Sequence, residues 1–214
     1  MAITVSPETV TIELVFEAPN LDVPTFTAWP VASAPPFSFL PISSTADEKI
    51  VGSFIAKLTE YQKPFPPRTV ETALNKFLKK SGLILPGGIR VSRGEDSIVP
   101  GCCCGVEEWR SWVESINAGI TPWWGHDPGP WARPEGDSIL FYRNGAFGIH
   151  DAVFAFDLPR SAFKEKAEQV EREFSGFLER VRNWADSYQF TETKRLVRKL
   201  DRAFNRPERS PSQN

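Results

Sequence analysis

Apolar residues recur along the chain with two different periods, and the changes of period mark out strands and helices. Thr9-Val10-Thr11-Ile12-Glu13-Leu14-Val15-Phe16-Glu17-Ala18 alternates roughly and is rich in β-branched residues, which predicts a strand over 9–18. Pro24, Pro30, Pro35, Pro36 and Pro41 then break an apolar stretch into extended segments and turns. Thr45 and Glu48 stand at capping-box spacing. The stripe Ile50, Val51, Phe54, Ile55, Leu58 and Tyr61 after them predicts a helix that stops before Pro64. Val70, Ala73, Leu74, Phe77 and Leu78 predict a second helix over 69–80, with Gly82 placed to end it. Leu83-Ile84-Leu85 is a short apolar run closed by Pro86-Gly87-Gly88.

A third helix is predicted over 106–117, with Trp109, Trp112, Val113 and Ile116 inward and Gly119 at its end. Residues 120–136, with four prolines, three glycines and three tryptophans, read as an ordered loop pinned by its aromatics. Ser138-Ile139-Leu140-Phe141-Tyr142-Arg143 reads as a strand, Asn144-Gly145 as a two-residue hairpin turn, and 146–156 as the returning strand. From Pro159 the period becomes helical. Phe163, Val170, Phe174, Phe177, Leu178, Val181, Trp184 and Tyr188 supply the apolar face of the longest helix, over 161–188. A last helix over 192–205 carries Leu196, Val197, Leu200, Ala203 and Phe204 on one side and its basic residues mostly on the other. These elements predict an α+β fold: a small antiparallel or mixed sheet packed against several helices, with a long C-terminal helical pair. Residues 1–205 read as a single globular domain and 206–214 as a flexible polar tail.

Composition agrees with a packed core: 214 residues, 41% hydrophobic, 24% charged, with 16 Phe and 7 Trp. The net charge of -2 is unevenly spread, since residues 160–214 hold 13 Lys/Arg against 9 Asp/Glu. A basic terminal helix without a reading motif argues for a solvated face and against a nucleic-acid partner. No run of 18 apolar residues spans a membrane, and the first residues lack the basic and apolar regions of a signal peptide. Three adjacent cysteines do not make a disulfide framework, which leaves the cytoplasm as the default compartment.

Gly101-Cys102-Cys103-Cys104-Gly105 is the unusual segment. If extended, it points Cys102 and Cys104 one way and Cys103 the other. Cys102 and Cys104 with His126 and His150, the two histidines of the chain, would make a tetrahedral zinc set, although Cys-x2–4-Cys spacing is absent. A cysteine entering the 106–117 helix would feel its positive end, and either histidine would serve as the base of a nucleophilic thiol. A redox pair requires joining adjacent cysteines across a distorted peptide, and Cys-x-x-Cys is missing. Composition favours a fourth reading, in which reduced cysteines pack as small hydrophobes between permissive glycines and no metal is held.

Trp123-Trp124-Gly125-His126-Asp127-Pro128-Gly129-Pro130-Trp131 gathers three indoles, an imidazole and a carboxylate. Trp123, Trp124, His126, Asp127 and Trp131 are the candidate lining of a ligand groove, though turn chemistry alone explains the glycines and prolines. Phosphate-loop, dinucleotide, His-Glu-x-x-His and Gly-x-Ser-x-Gly motifs are all absent. The expectation is a domain that binds another protein or a small ligand, with an immunity or inhibitor type among the fitting kinds. The alternative is a cysteine- or zinc-dependent enzyme using Cys102, Cys103 or Cys104 with His126 or His150.

Overall fold

The computed structural model describes residues 10–21, 25–60, 65–126, 129–145 and 153–205. It has the α+β architecture that the two periodicities predict, with two sheets in place of one. Strands β1 (Val10–Glu17), β2 (Phe39–Ile42), β3 (Gly87–Arg93) and β4 (Asp96–Ile98) form a sheet in the order β2-β1-β3-β4. Strands β5 (Gly129–Glu135), β6 (Ser138–Gly145) and β7 (Val153–Pro159) form a second sheet in sequence order. The helices are α1 (Glu48–Thr59), α2 (Val70–Lys79), α3 (Trp109–Asn117), α4 (Arg160–Ser187) and α5 (Thr193–Leu200); a 3-10 turn (Val106–Glu108) precedes α3 and a π turn (Asp201–Asn205) follows α5. No helix among the described residues is long and apolar enough to cross a membrane.

The chain divides into two compact units: Met1–Val15 with Pro86–Glu171, and Phe16–Leu85 with Arg172–Asn214. In the first, Arg90 and Glu13 pair across β3 and β1 at 2.7 Å. The aromatic side of α3 lies on β3 so closely that a Cβ at Gly88 would stand 2.4 Å from the Trp112 ring. Arg160, the first residue of α4, donates to the Ile116 and Asn117 carbonyls at 2.6 and 3.1 Å and so caps the end of α3. Arg110 of α3 pairs with Glu171 of α4 at 2.8 Å.

The second unit is built around Phe54 of α1, whose ring meets Phe16, Phe177 and Phe204 at 5.5, 5.0 and 6.2 Å. α1 is capped by Asp47, which accepts from the Ile50 N–H at 2.8 Å, and not by Thr45. The Thr45 hydroxyl is instead hydrogen-bonded to Ser43 at 3.1 Å. α2 ends at Lys80 in extended conformation, ahead of the expected Gly82, and the Lys199 ammonium donates to the Leu78 carbonyl at 3.2 Å. Leu196, Leu200 and Phe204 are fully buried, while Lys194, Arg195, Arg198 and Arg202 are exposed, as the amphipathic pattern requires.

Further local expectations fail around the second sheet. Residues 129–135, read as loop, form β5; Pro130 and Pro134 are tolerated because β5 is an edge strand with one side free of ladder bonds. Asn144-Gly145 is no two-residue turn. Both residues extend β6, Gly145 lies opposite Gly129, and Arg143 lies opposite Val153, so the connection to β7 is longer. The returning strand is Val153–Pro159 and not 146–156; residues 146–152 lie outside the described residues, as does the tail at 206–214. The tight hairpin turn is Gly136-Asp137, between Glu135 and its partner Ser138, where Gly136 supplies the positive φ of +56°.

Candidate functional site

Two loops of the first unit meet backbone to backbone. One carries residues 99–105 from β4 to the 3-10 turn; the other carries 120–126 away from α3. The first loop is tied down by the Gly87 N–H, which donates to the Cys104 carbonyl at 3.1 Å. Gly119, at φ +80°, turns the chain out of α3 into the second loop. Trp124 anchors that loop. It is 2% exposed, and its ring lies 5.3 Å from Trp112 and 6.0 Å from Phe141.

Glycines make the meeting possible. The Gly101 N–H donates to the Trp124 carbonyl at 3.0 Å, and a Cβ at Gly101 would stand 2.6 Å from that oxygen. Gly125, at φ +115°, has no room for a Cβ either, because it would lie 2.6 Å from the Gly101 Cα. Each glycine directly precedes a metal-binding residue type, Cys102 in one loop and His126 in the other. The contact therefore brings the Cys102 sulfur to 3.8 Å from His126 Nδ1.

Cys103 completes the cluster through its backbone. Its φ of +67° is left-handed, so the alternation of an extended segment does not apply. The sulfurs of Cys102 and Cys103 and a ring nitrogen of His126 all lie within 4.8 Å of one another, and all three residues are exposed. Cys104, expected beside Cys102, is buried at 4% exposure and lies outside the cluster.

The electrostatics divide the cysteines in the same way. Burial pushes the Cys104 thiol up to about 12, with the Glu108 carboxylate and the neighbouring sulfurs adding to the effect. The expected thiolate activation at the entry to the helix is thus reversed at Cys104. That entry is a 3-10 turn without a side-chain cap, with the acidic Glu107 and Glu108 inside it. Cys103 is also raised, by local loss of hydration and then by the Cys102 sulfur, which hydrogen-bonds it and repels its thiolate.

The remaining candidates scatter. Trp123 is 50% exposed, with its indole edge-on to the His126 ring at 5.3 Å. Trp124 is core, and Trp131 is half-buried on β5 opposite Tyr142. Asp127 and His150 lie outside the described residues. Sequence reasoning missed the Gly101–Gly125 contact; its available signal was the glycine placed before a cysteine in one segment and before a histidine in the other.

Fold and site together define an α+β protein carrying a surface thiol–imidazole cluster. Compared with known protein families, with curated proteins and with solved structures, the chain matches none.

Proposed function

We propose that Cys102, Cys103 and His126 bind a divalent transition metal, zinc by preference, and that the chain is a zinc-dependent enzyme. The observation that carries this reading is the convergence of the three donor atoms within 4.8 Å. Zinc bonds of about 2.3 Å to sulfur and 2.0–2.1 Å to nitrogen, at tetrahedral angles, hold neighbouring donors about 3.5–3.8 Å apart. The Cys102–His126 separation of 3.8 Å lies close to the sulfur–nitrogen value of about 3.5 Å at the lower end of that range. Two thiolates and an imidazole suit zinc in softness, and three protein ligands leave the fourth position of a catalytic site for water or substrate. Bound there, the metal would supply Lewis acidity and a water acidified toward neutrality. Trp123 would offer a flat apolar wall beside that position.

The test is elemental analysis of purified protein, followed by zinc titration against a competing chelator. One zinc per chain is expected. Cys102→Ser, Cys103→Ser and His126→Ala should each weaken binding beyond the roughly 10–100-fold that a change outside the ligand shell costs. Cys104→Ser should bind zinc much as the parent does. A metal-free protein with no titratable site, or equal loss in Cys104→Ser, would overturn the assignment. A second reading, a module that captures another protein or a small ligand, is favoured by Ile120 and Trp123, exposed at 60% and 50% on one loop. It replaces the first if the protein holds no metal.

A further inference from the structure

We propose that Cys102 and Cys103 interconvert between a dithiol and a vicinal disulfide, making the cluster a two-electron redox switch that admits metal only when reduced. The regulatory half rests on the metal reading above; the redox couple itself does not. Adjacent cysteines in an extended strand point to opposite faces and cannot join. Here the left-handed backbone at Cys103, φ +67°, has turned both sulfurs to one side, within 4.8 Å of each other. Part of the distortion that normally opposes such a bond is therefore already present in the reduced fold.

The bond would remain strained. Adjacent α-carbons are about 3.8 Å apart across a trans peptide, short of the roughly 4.4–6.8 Å usual for bridged cysteines. Strained, exposed disulfides are the easily reduced ones, and easy reduction suits a switch better than a staple. Both sulfurs are open to solvent and to oxidant, whereas Cys104 is buried, which removes it from competition.

A hydroperoxide is the oxidant class that completes the chemistry. His126 Nδ1, 3.8 Å from the Cys102 sulfur, takes that thiol's proton. The thiolate attacks the peroxide oxygen, the O–O bond breaks, and the departing hydroxide recovers the proton as water. Cys102 is left as a sulfenic acid. The Cys103 sulfur then attacks the Cys102 sulfur, the S–O bond breaks, and the hydroxyl leaves as water with the Cys103 proton. Two thiols and one hydrogen peroxide become one disulfide and two waters, with two electrons passing from sulfur to oxygen. Neither sulfur then remains a thiolate donor for a metal.

The experiment treats the full chain, stripped of metal by chelator, with one equivalent of hydrogen peroxide. Intact mass and peptide mapping should show the loss of two hydrogens within the Cys102–Cys103 peptide. Cys104 should remain alkylatable only after denaturation, and dithiothreitol should restore the dithiol. Cys104→Ala should behave identically, Cys103→Ser should stop at the sulfenic acid, and His126→Ala should slow the oxidation. Zinc binding by the oxidised protein should fall at least tenfold. A disulfide involving Cys104, a disulfide between chains, or sulfinic acid at Cys102 beside a free Cys103 would overturn the switch. Failure of the metal reading is read separately, as absence of zinc binding by the reduced protein, and leaves the disulfide result intact.

Discussion

Among single residues, Gly125 holds the most consequential position. A side chain there meets both a φ of +115° and the Gly101 Cα at 2.6 Å from its Cβ, so Gly125→Ala must push the two loops apart. Zinc uptake should collapse in that variant. Gly136 provides the control: it too has positive φ, but nothing stands within 4 Å of a Cβ there. Gly136→Ala should cost about 1 kcal/mol of stability and leave zinc titration unchanged. Equal metal binding in the two variants would show that the glycine contact does not assemble the cluster. Zinc uptake should also strengthen as pH rises, because both thiols must ionise to bind and Cys103 is held above its ordinary range. Proton release on zinc addition to weakly buffered protein measures this directly.

At the scale of elements, α4 and α5 are held by different chemistry. Glu173 of α4 accepts from both the backbone N–H and the hydroxyl of Ser44, at 2.8 and 2.7 Å. The Ser44 hydroxyl and N–H hold its carboxyl below the usual value of 4.5. A carboxylate depressed in the folded state contributes stability above its unfolded pKa and loses it as pH falls through the folded one. Glu173→Gln should therefore melt below the parent near neutrality, and the gap should close below about pH 4. A gap that stays constant with pH would assign the loss to packing. α5 and the π turn after it depend on apolar burial: Leu196, Leu200 and Phe204 are each 0% exposed, and Phe204 packs edge-on to Phe54. Phe204→Ala should cost about 3–5 kcal/mol in denaturant titration, and truncation after residue 190 should lower thermal stability further. Unchanged stability, with rapid amide exchange over 193–205, would show that α5 is not part of the core.

For the whole molecule, β1 and α4 each run through the division between the two compact units, at Val15/Phe16 and Glu171/Arg172. The reading of residues 1–205 as one domain predicts a single calorimetric transition, with calorimetric and van't Hoff enthalpies equal; two resolved transitions would assign the units separate stability. The long elements were legible in the sequence because their signals are local. The Phe and Val spacing of α4, the apolar stripe of α5 and the alternation of β1 are written in neighbouring residues, and backbone hydrogen bonding follows the same short range. Proline and glycine misled where their meaning depends on tertiary context. Pro130 and Pro134 read as loop until β5 is known to be an edge strand, and Asn144-Gly145 reads as a turn until β6 is seen to run through it. The sequence by itself determined the fold class, the helical C-terminal pair and the segment where chemistry is concentrated. Only the tertiary structure decided that Cys102 and Cys103, and not Cys102 and Cys104, share a site with His126. That choice depends on a left-handed backbone at Cys103 and on two glycines 24 residues apart that touch because neither has a side chain, and no local pattern encodes either.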